Sequence, residues 1–394
     1  KLLIFFLVSF SFIFLLYRFK FKSIIVVILS FYIGALIISI YFVLISTEQK
    51  KSDRRIFIQN GIANHLLIVP QMFLGNGMIY KIDKDQISYP IGSIPNEKLI
   101  LCEEDEGPIV YLSDRFGFMN PDKLWNKKNH NILIIGDSHA QGNCVSETSH
   151  KILNEKYLLN TLSLGQGGNG PLIALASAQE YLKFYKADYI YYLMSTNDYS
   201  RENYSDLPID FELEINNSYL KKILYTNYSQ DYFKKGSLVK TSIKLKELSN
   251  DLILDFQMKK NTWLSSVTEF LSLKYFLIKI YHMINPIINE GIRFTNSKDE
   301  LLLERTIKKI SSLNNGKVIF ITRANKNCYI RGSNSIEYKY LNNLLKNNNI
   351  KENNIINAID PLCNLEVWSK KGNHLNSKGY NILSEIIFND YISR

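Results

Sequence analysis

The chain has 394 residues, 46% of them hydrophobic and 13% aromatic, with only 9 prolines. A chain of that make-up can bury a large core, which excludes a disordered protein, and no period recurs that would suggest a fibre or a repeat array. The 47 Lys and Arg against 37 Asp and Glu give a formal charge of +10, but the excess is dispersed in an Asn/Ile/Lys-rich background without a basic stripe, so no nucleic-acid partner is expected. Four cysteines, Cys102, Cys144, Cys328 and Cys363, are too few for a disulfide scaffold and lack zinc spacing, so neither a metal nor a cofactor is expected.

Residues 2–17 (LLIFFLVSFSFIFLLY) and 23–46 carry no charge. Each is near the roughly 20 residues that a helix needs to cross a bilayer, and no small-residue cleavage site follows the first. A two-helix transmembrane hairpin is therefore expected over 1–47. Arg18, Lys20 and Lys22 between the spans favour a cytoplasmic connection and an extracytoplasmic remainder, while Lys50, Lys51, Arg54 and Arg55 argue the other way.

Residues 48–110 read as a linker and a small β-rich entry segment, with short apolar runs broken by Gly, Pro and acidic clusters such as CEEDEGP. From 111 to 394 the signals alternate. NILIIG, TLSLG, ADYIYYLM, GKVIFITRAN and NIINAID predict buried strands; PLIALASAQEYLKFY, ERTIKKISSLNN, IEYKYLNNLLKNNN and NSKGYNILSEIIFNDYI predict helices. Such alternation implies βαβ units and a parallel sheet covered on both faces, an α/β fold in three layers. The rhythm fails at about 201–300, which reads as an insertion with helices near Ser218 to Tyr225 and Thr262 to Ile284. It is either a lid or an ordinary helical excursion.

In open α/β sheets the functional groups gather at the carboxyl ends of strands. Asp137-Ser138 follow NILIIG, Gln166-Gly167-Gly168-Asn169 follow TLSLG, and Ser195-Thr196-Asn197-Asp198 follow YIYYLM; KKGNHLNSKGY, with His374, lies beyond the last strand. A serine hydroxyl becomes a nucleophile when a base takes its proton, and an imidazole titrates in the right range. The oxyanion that results needs fixed donors, and the N–H groups of Ser138 and Gly168 with the Asn197 amide can supply them.

These segments resemble the SGNH (GDSL-type) hydrolase family over about 130–394, the insertion excepted. GDS matches its first block with Ser138 as nucleophile, LGQGGNG its second with Gly168, STND its third with Asn197, and GNHLNSKGY its last with His374. The resemblance implies an SGNH/flavodoxin-like fold and an acyl-enzyme mechanism. The family usually places an aspartate three residues before the histidine, and Lys371 stands there. A Ser138/His374 dyad oriented by a backbone carbonyl, a carboxylate from elsewhere such as Asp360, or a degenerate enzyme all remain open. Lys371 could also disfavour the imidazolium or hold an anionic substituent of the substrate. Asp137 is expected to be structural, and His139 to point away from the nucleophile. YLSDRFGFMNPD further resembles membrane-anchored members from bacterial surface-polysaccharide loci; its physical reading is a hairpin that brings Tyr111, Phe116 and Phe118 over the sheet edge.

The leading expectation is an esterase in the bacterial inner membrane, its soluble domain periplasmic, acting on O-acylated glycans. The alternatives are an O-acyltransferase with a multi-span membrane partner, a lipase or lysophospholipase, and a non-catalytic glycan-binding subunit. In an oxidising compartment Cys328 and Cys363, just beyond adjacent strands, are the first pair to join; four free thiols are the alternative.

Overall fold

In the computed structural model the chain divides into two compact units, Lys1–Lys51 with Phe256–Glu290 and Ser52–Asp255 with Gly291–Arg394. The structure describes residues 88–194, 214–215, 217–258, 297–323, 328 and 336–394, with Gly34 and Leu66–Leu67. The hairpin expected over 1–47, Gly34 apart, and the helix expected from Thr262 to Ile284 lie outside the described residues. Among the described residues no helix is long and apolar enough to cross a membrane.

The described strands form two sheets. β1 (Leu66–Leu67), β2 (Lys98–Glu104) and β3 (Gly107–Leu112) make a small one, with β1 parallel and β3 antiparallel to β2. β4 (Asn129–Gly136), β5 (Thr161–Ser163), β6 (Lys186–Met194), β7 (Val318–Arg323) and β8 (Ile355–Ala358) make a five-stranded parallel sheet in the order β5-β4-β6-β7-β8. In that sheet the second strand lies outside the first and the third on its other side. The chain winds in opposite directions from β4, and the crevice at the carboxyl ends of β4 and β6 is where such sheets bind ligands.

The described helices are α1 (Ser138–Gln141), α2 (Ser149–Glu155), α3 (Pro171–Leu182), α4 (Ser218–Tyr225), α5 (Val239–Met258), α6 (Ser297–Ser312), α7 (Ile336–Asn347), α8 (Ile359–Leu362) and α9 (Ser377–Ser393). Successive strand side chains point to opposite faces. Leu133, Ile135, Ile190, Tyr192 and Phe320 pack with Leu175 of α3, Leu220 of α4, Ile307 of α6 and Leu341 of α7. Ile132, Ile134, Tyr191, Leu193, Ile319 and Ile321 pack with Leu153 of α2, Ile359 of α8 and Leu383 of α9. Both faces are covered, which is why the strands read as unbroken apolar runs.

The stretch after β3 is built around a carboxylate. Asp114 Oδ1 accepts the N–H groups of Phe116 and Phe118, each at 2.9 Å, while Oδ2 accepts Asn120 Nδ2 at 3.0 Å and Trp125 Nε1 at 2.7 Å. Burial nevertheless pushes its pKa up to about 6. Asn120 then exchanges two bonds of 2.8 Å with the backbone of Ser163 on edge strand β5. Asn154 does the same for Thr161 at 2.8 and 3.0 Å, so two side chains pair the backbone of that edge strand.

Candidate active site

Ser138 leaves β4 at the start of α1. Asp137 caps that helix, its Oδ1 accepting the His139 N–H at 2.9 Å, which turns the chain sharply enough to present the serine at the end of the sheet. Ser138 Oγ lies 3.2 Å from His374 Nε2. The histidine comes from a tight loop closed by the Trp368–Leu375 bridge and by Ser369 N–H donating to the His374 carbonyl at 2.9 Å.

The other imidazole nitrogen has a carboxylate. His374 Nδ1 lies 2.7 Å from Oε1 of Glu104, the last residue of β2 and 7% exposed. Burial works to raise the Glu104 pKa, but the hydrogen bond and charge of His374, helped by the Ser369 hydroxyl, outweigh it and leave the carboxyl below its usual value. Ser138, His374 and Glu104 thus form a continuous chain of hydrogen bonds, in the order that nucleophile, base and orienting acid take in a serine-hydrolase triad.

Of the alternatives left open for the third position, the imidazole meets a carboxylate from elsewhere in the chain, but not Asp360. Asp360 is exposed in the first turn of α8, and the imidazole faces Glu104 rather than a backbone carbonyl. Lys371 is exposed too, and it is its neighbour that matters. A Cβ on Gly372 would overlap the Glu104 carboxylate, so the loop admits the acid only because position 372 has no side chain. The CEEDEGP run, read as part of an entry segment, supplies this acid from the other sheet. Its sequence signal was a cluster of acidic residues with nothing to say which one faces inward.

The loop after β5 lies against α1. Gly167 N–H donates to Gln141 Oε1 at 2.7 Å and is thereby occupied. Gly168 has φ +69°, a conformation that suits glycine, and its N–H has no acceptor among the described residues. The Ser138 N–H, first in its helix, has no intrahelical acceptor either. Both N–H groups are thus left without a protein acceptor among the described residues, whereas Asn197 lies outside the described residues. The loop is anchored downstream by the buried Glu214, which accepts the N–H groups of Gly170 at 2.6 Å and Leu172 at 2.8 Å and so caps α3.

His139 does not point away as expected, since its Nδ1 is 3.4 Å from Ser138 Oγ. It is a poor base all the same. Burial, and then the Arg323 charge, push its pKa down to about 3. Asp137 keeps its charge against the cost of burial because Arg323 lies 3.1 Å away, both side chains being 2% exposed. Its role is to shape the turn. Glu104, Cys144 and His374 place three ligand-type atoms within 4.8 Å of one another, but Cys144 is disulfide-bonded, and a disulfide sulfur has no thiolate to offer a metal. Cys328 and Cys363 are also joined, with Cα atoms 5.5 Å apart.

A serine, a histidine and a glutamate therefore meet at the carboxyl end of β4 in an α/β sheet. No family model matches the chain, and no curated protein matches it.

Proposed function

We propose that the protein is a serine esterase of the SGNH kind that removes acyl groups from O-acylated glycans, held at a membrane by its N-terminal segment. The observation that carries this reading is the relay of Glu104, His374 and Ser138, with contacts of 2.7 and 3.2 Å. Ser138 Oγ attacks the ester carbonyl as its proton passes to His374 Nε2, and Glu104 stabilises the imidazolium through Nδ1. The N–H groups of Ser138 and Gly168, with the Asn197 amide, hold the oxyanion. The sugar hydroxyl leaves with the proton from Nε2, and water then cleaves the acyl-enzyme by the same steps in reverse.

The test is labelling of the full chain with a fluorophosphonate, together with turnover of p-nitrophenyl acetate, long-chain esters and acetylated oligosaccharides. Ser138→Ala and His374→Ala are expected to lose turnover by about 10⁴-fold or more, and Asn197→Ala by about 10²–10³-fold. Equal labelling of wild type and Ser138→Ala overturns the reading. A preference for long acyl chains replaces the glycan ester with a lipid.

A further inference from the structure

Three successive side chains at the tip of the β2–β3 hairpin reach three places on the catalytic loops. Glu104 takes His374. Asp105 accepts the backbone N–H of Lys370 on Oδ2 at 2.8 Å and that of Lys371 on Oδ1 at 3.1 Å. Glu106 accepts the N–H and hydroxyl of Ser146 at 2.9 and 2.8 Å and the hydroxyl of Ser377.

The middle contact has a distinct geometry. The loop carrying His374 is internally braced, because Ser369 Oγ accepts the N–H groups of Lys371 at 3.2 Å and Gly372 at 3.0 Å. The imidazole and the Ser369 hydroxyl of this loop both bond Glu104, so these contacts converge on one carboxylate. Asp105 supplies the second point, gripping the backbone three and four residues before His374 with both carboxylate oxygens. Although exposed, these are charge-assisted bonds, roughly twice as strong as neutral ones.

We propose that Asp105 is a positioning residue for the reaction. It holds Lys370 and Lys371 so that His374 keeps Glu104 on Nδ1 and Ser138 on Nε2 at the same time. The proposal rests on the esterase reading and adds to it a residue that touches neither substrate nor imidazole. A displacement of about 1 Å in a catalytic group is enough to cost 10²-fold in rate.

The experiment compares wild type, Asp105→Ala and Asp105→Asn in the full chain by kcat, KM and fluorophosphonate titration of active sites. Asp105→Ala is expected to lower kcat about 10²-fold with KM within about twofold, while every chain still titrates, only more slowly. Asp105→Asn retains a carbonyl acceptor and returns to within about tenfold of wild type. Three results overturn the proposal: an unchanged kcat in Asp105→Ala, a fall in kcat that matches a fall in titratable sites, or an asparagine variant no better than alanine. If wild type labels normally and any of these holds, the positioning role alone falls. If wild type neither labels nor turns over, the esterase reading falls and takes the positioning role with it.

Discussion

Glu104 and Gly372 are one feature divided between two segments. The carboxylate needs the space that the glycine leaves, and the imidazole needs the carboxylate to fix its tautomer and to balance its charge. Glu104→Gln keeps the volume and loses the charge, so kcat is expected to fall about 10³–10⁴-fold. Gly372→Ala displaces the acid and is expected to behave like Glu104→Ala. The double variant Glu104→Ala/Gly372→Ala should lose little beyond either single one, because both remove the same contact. Full additivity in steady-state kinetics would show that Gly372 acts by another route. Asp360→Ala and Lys371→Ala, both at exposed positions, should change kcat by no more than about twofold. None of this was legible near His374, where the sequence offers a lysine. Its partner lies 270 residues away in an acidic run that reads as a solvated turn, and only the pairing of β2 with β3 decides which of its carboxylates faces inward.

The large sheet was legible for the opposite reason. Strands buried on both faces need unbroken apolar runs, and NILIIG, YIYYLM and VIFIT show them. α4 was equally readable, since it has a clear apolar side in Tyr219, Leu220, Ile223 and Leu224. α5 was not. Its exposed Val239 and Ile243 beside the buried Leu245 and Leu248 blur the stripe that identifies a helix in sequence. Cys328 and Cys363 follow β7 and β8 in the chain, and their bond spans 35 residues. By loop-closure entropy such a cross-link stabilises by up to about 4 kcal/mol. The Cys328→Ala/Cys363→Ala double variant should lose about 2–4 kcal/mol in urea unfolding, with kcat preserved in the folded protein. An unchanged midpoint, in oxidised protein, would mean that the two sulfurs are not joined in solution.

Among the described residues, buried histidines give stability a dependence on pH between 6.5 and 4. His150 is shut away from solvent, with Nε2 2.6 Å from the Met119 carbonyl, and burial pushes its pKa down to about 4. His139 lies at about 3 for the reasons given above. A depressed folded pKa means that the contribution is complete above the unfolded value near 6.5 and is lost as pH falls toward the folded one. For His150 that loss is about 3 kcal/mol. Asp114 acts in the opposite sense. Its raised pKa, about 6, makes its contribution complete below the unfolded value near 3.9 and lost as pH rises through 6. Two histidines outweigh one aspartate. The melting temperature is therefore expected to drop between pH 6.5 and 4, and His150→Gln should flatten that slope. A melting temperature that is level or rising on acidification would contradict the balance.

The span between Glu104 and His374 has a further consequence during synthesis. Ser138 leaves the ribosome 236 residues before its base, an interval of roughly 12 to 47 seconds at cellular elongation rates. Throughout it the nucleophile is an ordinary hydroxyl, and the hairpin acid has no imidazole to orient. On the esterase reading, the nascent chain has no base with which to activate the serine while it is being made. On that reading activity begins only when the late-emerging histidine meets Glu104 and Ser138, both of which were read in the first half of the chain.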